Sequence, residues 1–238
     1  MLRIITDFDG PILDVSERYY RVYEFCLEKI QHPNQPLTKL SKEEFWRMKR
    51  ACIPESKIGM KSGLDQAQGQ EFAQLRRKTI HTQPYLVYDQ LAPGVSEALE
   101  KVHQNPNLDL VVLTMRRVWQ LYSAFNSYNL ERFFPNDRCY CLENDYVKTR
   151  DIDDKTRLME RAIAELPPAS DIWMVGDTEA DMIAAKNHGI KAIGVLSGIR
   201  DRAHLSRYEP EAIVNNLSEA IDLILSPSLS HVGEECLR

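Results

Sequence analysis

The chain has no excess of basic residues and no long hydrophobic run. Its 238 residues carry 30 Lys or Arg against 35 Asp or Glu, a net charge of −5, which argues against a general nucleic-acid binder. No apolar run approaches the roughly 20 residues that cross a bilayer. We therefore expect neither nucleic acid nor membrane as a partner. The N-terminus carries no signal-peptide pattern, so we expect a cytoplasmic protein.

Cysteine is scarce as well. The five cysteines are odd in number and scattered along the chain, which is typical of reduced thiols in a cytoplasm rather than of a disulfide framework. Cys139 and Cys141 are too close for the usual zinc-finger spacing. We interpret them as alternating residues of a strand.

Charge is unevenly distributed along the chain. Residues 15–90 contain 13 Lys or Arg and 9 Asp or Glu, a net charge of +4, whereas the remainder contains 17 and 26, a net charge of −9. Such segregation indicates either two bodies facing each other across an anion site or two unrelated solvated surfaces. Composition alone leaves both interpretations open.

Apolar periodicity predicts an α/β fold. Short apolar strands alternate with amphipathic helices, a pattern typical of a parallel sheet with helices on both faces. The continuous apolar stretch "LVVL" agrees with burial on both sides. The predicted strands are 2–6, 108–113, 138–142, 172–175 and 191–195, and the predicted helices between them are 95–103, 118–128, 156–166 and 180–188.

Residues 15–90 interrupt this alternation and show no convincing strand. Asp14-x-x-Glu17 and Ser41-x-x-Glu44 resemble capping boxes that start helices near residues 15 and 42. A third helix is predicted over about 65–81, and the Pro-, Gly- and Ser-rich stretch 52–64 is predicted as a loop. The sequence thus predicts a mostly helical insertion after the first strand, and a flexible C-terminal tail at 227–238.

Acidic residues follow the predicted strands. In "IITDFDGPILDV", Asp7 and Asp9 come directly after the first strand, which taken alone indicates either a surface turn or a cation site. Thr114 ends the next core strand, and Asp177 and Asp181 follow "IWMVG". The carboxyl ends of parallel strands share one edge of the sheet, so this edge collects a hydroxyl and several carboxylates. Their mutual repulsion calls for a cation.

Lys155 lies just inside a helix start in "DIDDKTRLM". A cation there opposes the helix dipole. Its side chain either bends into water or reaches the carboxylates, where it would lower the pKa of a nucleophile and bind an anion.

In this order, Asp-x-Asp-Gly, Thr114, Lys155 and Gly-Asp-x-x-x-Asp resemble the four motifs of the haloacid dehalogenase superfamily. The stretches "LAPGVSEALEKV" and "MIAAKNHGIKAIGV" are also similar to phosphatases of that superfamily. The resemblance implies a Rossmann-like core of residues 1–14 and 91–226. It also implies a smaller α-helical cap domain at 15–90, because the roughly forty residues between Thr114 and Lys155 leave no room for a cap there.

The resemblance also implies roles for single residues. Asp7 would be the nucleophile that forms an aspartyl phosphate, and Asp9 the general acid and then base. Thr114 and the Met115 amide would bind phosphoryl oxygens, with Lys155 neutralising the charge that builds up.

The implied cofactor is Mg²⁺, held by the carboxylates of Asp7 and Asp177, the carbonyl of Asp9, and Asp181 directly or through water. The implied activity is a Mg²⁺-dependent phosphatase acting on a small phosphorylated metabolite. Further substrate contacts are predicted at five positions, which are Gly10, Arg116, Arg47, Lys57 and Lys61.

Two features leave alternatives open. Arg116 and Arg117 contact substrate or point outward as they open a helix. Pro11 replaces the Thr or Val usual in the superfamily, which indicates a stiffened loop.

Other functions are compatible with parts of the pattern. A phosphomutase of the same superfamily would keep all four motifs. A receiver-like phosphate-binding module also uses Asp, Thr and Lys, but the Asp-x-Asp pair and the large insertion argue against it.

Overall fold

A six-stranded parallel sheet forms the centre of the molecule in a computed structural model, which describes residues 1–226. Its strand order is β5-β4-β1-β6-β7-β8, and a separate antiparallel pair is formed by β2 and β3. The α/β prediction is therefore confirmed. The strands of this part of the chain are β1 (Leu2–Thr6), β2 (Leu13–Asp14), β3 (Gln90–Leu91), β4 (Leu108–Arg117), β5 (Cys139–Leu142), β6 (Asp171–Gly176), β7 (Lys191–Val195) and β8 (Ala212–Val214).

Helices cover both faces of the sheet. Alternate residues of β1 point to opposite faces, so that Ile4 joins one apolar cluster and Ile5 the other. Both are fully buried, as the continuous apolar strands predict. The helices of the described chain are α1 (Ser16–Ile30), α2 (Lys42–Arg50), α3 (Glu55–Lys61), α4 (Gln66–Thr79), α5 (Gln83–Leu86), α6 (Val95–His103), α7 (Val118–Tyr128), α8 (Asp151–Glu165), α9 (Glu179–Asn187), α10 (Arg202–Leu205) and α11 (Leu217–Leu225).

The helical insertion, residues 15–90, leaves the sheet through β2 and returns through β3. Leu13 pairs with Leu91 and Asp14 with Gln90, so one short ribbon joins both ends of the insertion to the core. The sequence predicted no strand in this region. Each strand of this ribbon is only two residues long, which is too short to show the alternation of apolar and polar residues that predicts a strand.

An aromatic cluster organises the insertion. The Tyr23 ring centroid lies 4.8 Å from that of Phe45 and 6.1 Å from that of Phe72. The Tyr23 hydroxyl pairs with Ser62 Oγ at 2.7 Å and accepts the Leu40 N–H at 2.8 Å. These rings are continuous with the apolar cluster on one face of the sheet, so the insertion and the core share a buried surface. The domain boundaries themselves stay a prediction.

Two local predictions in the insertion are wrong. The stretch 52–64, predicted as a loop, contains α3, because buried Ile58 and Gly59 pack this short helix against α4. A Cβ at Gly59 would lie 3.1 Å from the Phe72 ring. Asp14 is also not the N-cap of α1. Val15 holds that position, and Asp14 Oδ1 instead accepts the Ser16 N–H at 2.8 Å.

The other caps and most core boundaries agree with the sequence. Ser41 Oγ accepts the Glu44 N–H at 3.1 Å, and Asp65 forms a full capping box with Gln68. Two core elements are longer than predicted: β4 continues to residue 117 and α8 starts at residue 151. Residues 227–238, predicted as a tail, lie outside the described chain. Among residues 1–226, no helix has the length and apolarity that a membrane crossing requires.

Candidate active site

The three central strands bring Asp7, Thr114 and Asp177 to one edge of the sheet. β1 lies between β4 and β6, and the Asp7 N–H donates to the carbonyl of Val175 on β6 at 2.9 Å. Thr114 lies within β4, which runs on for three more residues. The strand-end juxtaposition expected from the sequence is therefore present in the fold.

Asp7, Asp177 and Asp181 form an acidic cluster. One carboxylate oxygen from each lies within 4.8 Å of the others, and all three side chains are buried. Burial raises the pKa of Asp7 to about 7, with Lys155 opposing and Asp181 and Asp9 adding to the rise. Burial, then the charges of Asp7 and Asp181, raise the pKa of Asp177 well above its ordinary value. Such a cluster favours a bound cation.

Glycines make room for these carboxylates. A Cβ at Gly198 would lie 1.8 Å from Asp177 Oδ2, and one at Gly176 would lie 2.3 Å from Asp181 Cγ. A Cβ at Gly10, where φ is +94°, would lie 2.4 Å from Asp177 Cγ. The structure does not bring Gly10, a predicted substrate contact, into the cavity lining: its N–H donates to the Leu13 carbonyl at 2.8 Å. Its function is steric.

The donor set fits a hard divalent cation. Asp177 Oδ2 accepts the Ile199 N–H at 2.6 Å, and Asp181 Oδ2 accepts the N–H and Oγ1 of Thr178 at 3.0 and 2.7 Å. These bonds orient each carboxylate through one oxygen, and the other oxygen of Asp181, Oδ1, lies 2.7 Å from Lys155 Nζ in the cluster. Buried carboxylate oxygens are the ligands that Mg²⁺ takes in proteins, so Asp7, Asp177 and Asp181 are suitable for holding it.

Lys155 lies at the centre of the cluster. Its Nζ is 3.0 Å from Asp7 Oδ1 and 2.7 Å from Asp181 Oδ1, and the side chain is only 1% exposed. Burial by itself would lower its pKa, but the charges of Asp181 and Asp7 outweigh burial and raise the pKa above its ordinary value. The alternative of a lysine bending into water is therefore excluded. Asp7 Oδ1 also accepts the Phe8 N–H at 2.7 Å.

Asp9 is held by two buried arginines. Its Oδ2 lies 2.6 Å from Arg18 Nη2, and its Oδ1 lies 2.6 Å from Arg116 Nε. Both arginines also pair with Asp89, Arg18 Nε at 3.0 Å and Arg116 through Nη2. Burial alone would raise the pKa of Asp9, but Arg116 and Arg18 outweigh burial and hold the pKa well below its ordinary value. Burial raises the pKa of Asp89 to about 6.

Two members of this network were not identified from the sequence. Arg18 falls on the buried face of α1 together with Val22 and Cys26, and this spacing of four was the available signal. Asp89 follows α5 and carries no comparable signal. The network also corrects one interpretation of Arg116, whose side chain does not point outward. Arg117 instead binds the carbonyls of the loop before α8, including that of Glu143 at 3.0 Å.

A cavity of about 120 Å³ opens over this edge of the sheet. From the core it is lined by residues that include Asp7, Asp9, Thr114, Met115, Arg116 and Lys148. The insertion contributes Tyr19 and His81. Thr114 Oγ1 accepts the Arg116 N–H at 3.2 Å, which orients the hydroxyl. Tyr19, His81 and Lys148 were not identified from the sequence.

The three predicted contacts from the insertion do not reach the cavity. Arg47 and Lys57 are exposed, and Lys61 is half-exposed at 3.4 Å from Glu44. None of them lines the site, so the structure does not bring them to the cavity and their role as substrate contacts stays a prediction. They lie on the solvent side of short amphipathic helices, which is the ordinary place for charge. The basic surface of the insertion is thus separate from the residues that face the cavity.

Pro11 is compatible with its position. The turn after Gly10 is closed by the N–H groups of Ile12 and Leu13, which both donate to the Phe8 carbonyl at 3.2 and 2.9 Å. The missing N–H of Pro11 leaves none of these bonds unmade.

A protein-family model matches part of this chain, including residues of the acidic cluster. The HAD-hydrolase-like family model matches residues 155–220, a span that starts at Lys155 and includes Asp177 and Asp181. The chain is thus similar to haloacid dehalogenase-like hydrolases over this span, and the acidic edge of its sheet lies partly within the matched residues.

Two curated relatives illustrate the similarity. A pyrophosphatase PpaX from Anoxybacillus flavithermus is 34% identical over 28% of this chain and 31% of its own length. A phosphoglycolate phosphatase from Vibrio parahaemolyticus is 25% identical over 56% of each chain. These matches thus span from about a third to just over half of the relatives' length.

Solved structures extend the likeness of fold to nearly the whole chain. A Clostridium difficile protein assigned as a phosphatase has a TM-score of 0.69 and 20% identity, over 94% of this chain and 98% of its own. A Thermotoga maritima protein assigned as a β-phosphoglucomutase has a TM-score of 0.58 and 21% identity, over 94% and 98%.

Proposed function

We propose that the protein is a Mg²⁺-dependent phosphatase that hydrolyses a small phosphorylated metabolite through an aspartyl phosphate on Asp7. The observation that carries this proposal is the clustering of Asp7 with the Lys155 ammonium and the acidic pair Asp177 and Asp181, in a cavity that Thr114 also lines. The relatives' names, a pyrophosphatase and a phosphoglycolate phosphatase, support a small phosphorylated substrate. We also propose that the insertion is a cap domain and that the protein is cytoplasmic.

Asp7 is the proposed nucleophile. A carboxylate oxygen of Asp7 attacks phosphorus, the bond from phosphorus to the leaving oxygen breaks, and the leaving group takes a proton. Water then attacks the phosphoryl group, the bond to Asp7 breaks, and inorganic phosphate leaves. Lys155 and the Met115 amide stabilise negative charge on the phosphoryl oxygens, and Thr114 binds one of them. When bound, Mg²⁺ would add positive charge beside these oxygens.

Asp9 is the proposed acid and base. Its pairs with Arg18 and Arg116 favour the ionised form, which suits the base that takes a proton from water in the second step. To donate a proton to the leaving group in the first step, Asp9 must first take up a proton from solvent, which these two contacts oppose until they lengthen. The contacts with Arg18 and Arg116 therefore favour Asp9 as the base, and their lengthening would favour Asp9 as the acid.

A nitrophenyl phosphate assay with Mg²⁺ and with excess chelator tests the proposal. We expect turnover with the metal, loss of turnover in chelator, and recovery on adding Mg²⁺ back. Asp177→Asn should abolish activity or raise the Mg²⁺ requirement, whereas Asp137→Asn, at a carboxylate that is 74% exposed, should behave as wild type. Full activity in excess chelator would overturn the metal assignment.

A phosphomutase is the second candidate, favoured by the fold likeness to the Thermotoga maritima protein. It would use the same aspartyl phosphate but pass the phosphoryl group to a second hydroxyl of the substrate. Release of inorganic phosphate in step with substrate loss supports the phosphatase. Isomerised phosphate ester without free phosphate supports the mutase.

A further inference from the structure

Lys148 is a basic side chain that lines the cavity. Unlike Lys155 and Arg116, it has no ion-pair partner within residues 1–226. Lys155 is neutralised by Asp7 and Asp181, and Arg116 by Asp9 and Asp89. Within residues 1–226, by contrast, Lys148 has no carboxylate oxygen within 4.0 Å and makes no hydrogen bond. It is partly buried, and an ammonium group removed from water without a partner is unfavourable. An anion in the cavity would supply that partner.

The loop that carries Lys148 is fixed on both sides. Before it, Arg117 Nη1 and Nη2 donate to the carbonyls of Glu143 and Tyr146 at 3.0 and 2.9 Å. After it, buried Asp154 accepts the Thr149 N–H at 2.8 Å and its hydroxyl at 2.6 Å. The backbone is thus pinned while the ammonium lines the cavity, so the position of Lys148 is built into the fold.

His81 lines the same cavity from the insertion. Its carbonyl accepts Gln120 Nε2 at 2.8 Å, which ties this end of α4 to α7 of the core. Its ring makes no hydrogen bond to any residue in the described part of the chain. Burial, and then the charges of Arg18 and Lys148, lower the pKa of His81 well below its ordinary value. The ring is therefore neutral and offers one N–H donor.

Lys148 and His81 line the same cavity as Asp9. The charge of Asp9 opposes the fall in the pKa of both residues, and the charge of Lys148 contributes to the lowered pKa of His81. Asp151 attracts Lys148 too, but from beyond ion-pair distance. Since Asp9 is the group proposed to serve the leaving oxygen, an anion held by Lys148 and His81 would belong to the leaving group.

We propose that Lys148 and His81 form an anion subsite that recognises a carboxylate or phosphate group on the leaving group. This inference rests on the proposed phosphatase function and names its substrate class, which is a short phosphate ester or anhydride with a second anionic group. The cavity of about 120 Å³ accommodates a leaving group of a few heavy atoms. The ammonium supplies charge and the neutral imidazole supplies a directional donor.

A matched substrate pair tests the carboxylate case. Phosphoglycolate and 2-hydroxyethyl phosphate differ in whether the leaving group ends in a carboxylate or a hydroxyl. The wild type should prefer phosphoglycolate in kcat/KM, and Lys148→Met should reduce that preference by about 10- to 100-fold, as expected for one charge-assisted contact. His81→Ala should reduce it by about threefold to tenfold. Lys78→Met, at an exposed residue of the insertion, should leave it unchanged.

A binding measurement covers the phosphate case and does not need turnover. Calorimetry with Mg²⁺ should show methylenediphosphonate binding more tightly than methylphosphonate, and Lys148→Met should remove about tenfold or more of that difference. If Lys148→Met reduces only the preference for phosphoglycolate, the subsite recognises carboxylates. If it reduces only the preference for methylenediphosphonate, the subsite recognises phosphates. If Lys148→Met alters neither preference, the subsite is overturned. If no ester is hydrolysed, the proposed function fails, and the binding result still decides the subsite.

Discussion

The catalytic edge of the sheet and the helical insertion both bury charged side chains, but carboxylates outnumber the cation Lys155 in the acidic cluster of the edge, whereas the insertion buries two arginines and one aspartate, Asp89. The sheet gathers the carboxylates of Asp7, Asp177 and Asp181 at one edge. The insertion buries the cations Arg18 and Arg76, which are fully and nine-tenths buried. The net charge of +4 on residues 15–90 therefore has two parts, a solvated surface and a few buried side chains. Only the buried part, through Arg18, reaches the acidic residues of the core.

This difference shows what holds the two parts together. The side chain of Arg18, on α1, pairs with Asp9 in the loop after β1 and with Asp89 just before β3. Farther inside the insertion, Arg76 pairs with Glu55 at 3.1 Å and lies 4.7 Å from the Tyr19 ring centroid. Burying charge is costly unless each ion is compensated, so removing one partner affects the insertion and the site together.

The largest expected effect concerns Asp9, where the two regions meet. A nitrophenolate leaving group needs little protonation, so Asp9→Asn should spare the first step, but the second step would lose its base. Rapid mixing should show a burst of about one nitrophenol per site, then a rate at least about a hundredfold below wild type. An alkyl phosphate should give no burst, and Asp7→Asn should give none with either ester. Steady turnover of the nitrophenyl ester by Asp9→Asn at the wild-type rate would refute the acid–base role.

Two arginines on α1 provide the next comparison. Arg18 is fully buried, whereas the Arg21 side chain is 50% exposed and pairs with Glu17 and Glu24. Arg18→Met should lower the free energy of unfolding by about 3 kcal/mol, because Asp9 and Asp89 lose a buried partner. Arg21→Met should lower it by less than about 1 kcal/mol. Urea denaturation measures both, and equal effects would mean that the network does not join the two regions.

The same pairing predicts a pH dependence. The folded-state pKa of Asp9 lies below its unfolded value, so its contribution to stability is present above the unfolded pKa of about 3.9. That contribution is lost as the pH falls through the folded pKa. The stability difference between wild type and Arg18→Met should therefore shrink in acid below about pH 4, as followed by urea titrations.

Metal binding should stabilise the acidic edge in a pH-dependent way. The pKa of Asp7 is raised to about 7, so protons compete with Mg²⁺ for this carboxylate below that pH. Mg²⁺ at a hundred times its Kd at pH 8 should add about 2.7 kcal/mol of stability, and the same Mg²⁺ concentration should raise Tm less at pH 5. Asp177→Asn should lose most of the increase. An increase that is independent of pH would argue against Asp7 as a ligand.

The smallest effect is expected at the basic surface of the insertion. Lys57→Ala and Arg47→Ala should change KM by less than about twofold, because both residues lie outside the cavity. Steady-state kinetics on phosphoglycolate and nitrophenyl phosphate would check this. A tenfold rise in KM for phosphoglycolate alone would restore these residues as substrate contacts, and would require the insertion to close further than in this structure.

Several features of the site were predictable from the sequence for a simple reason. Parallel strands end at a common edge, so residues at or near the carboxyl ends of β1, β4 and β6 must meet wherever the sheet forms. The placement of Asp7, Thr114 and Asp177 follows from that rule. The sequence pattern did not decide the position of the Lys155 side chain, because a lysine at a helix start can equally well point into water. Only its contacts with Asp7 and Asp181 in the structure decided it.

The sequence by itself determined the alternating α/β order, the helical character of most of the insertion and the set of acidic groups on one edge. These are local properties, encoded in apolar periodicity and in residues next to strand ends. Tertiary structure alone decided the pairing of Asp9 with Arg116, 107 residues away, the helix α3, and the approach of His81 and Lys148. A pattern tells which face of a helix is buried, but not what it is buried against. That partner depends on how the insertion packs on the core.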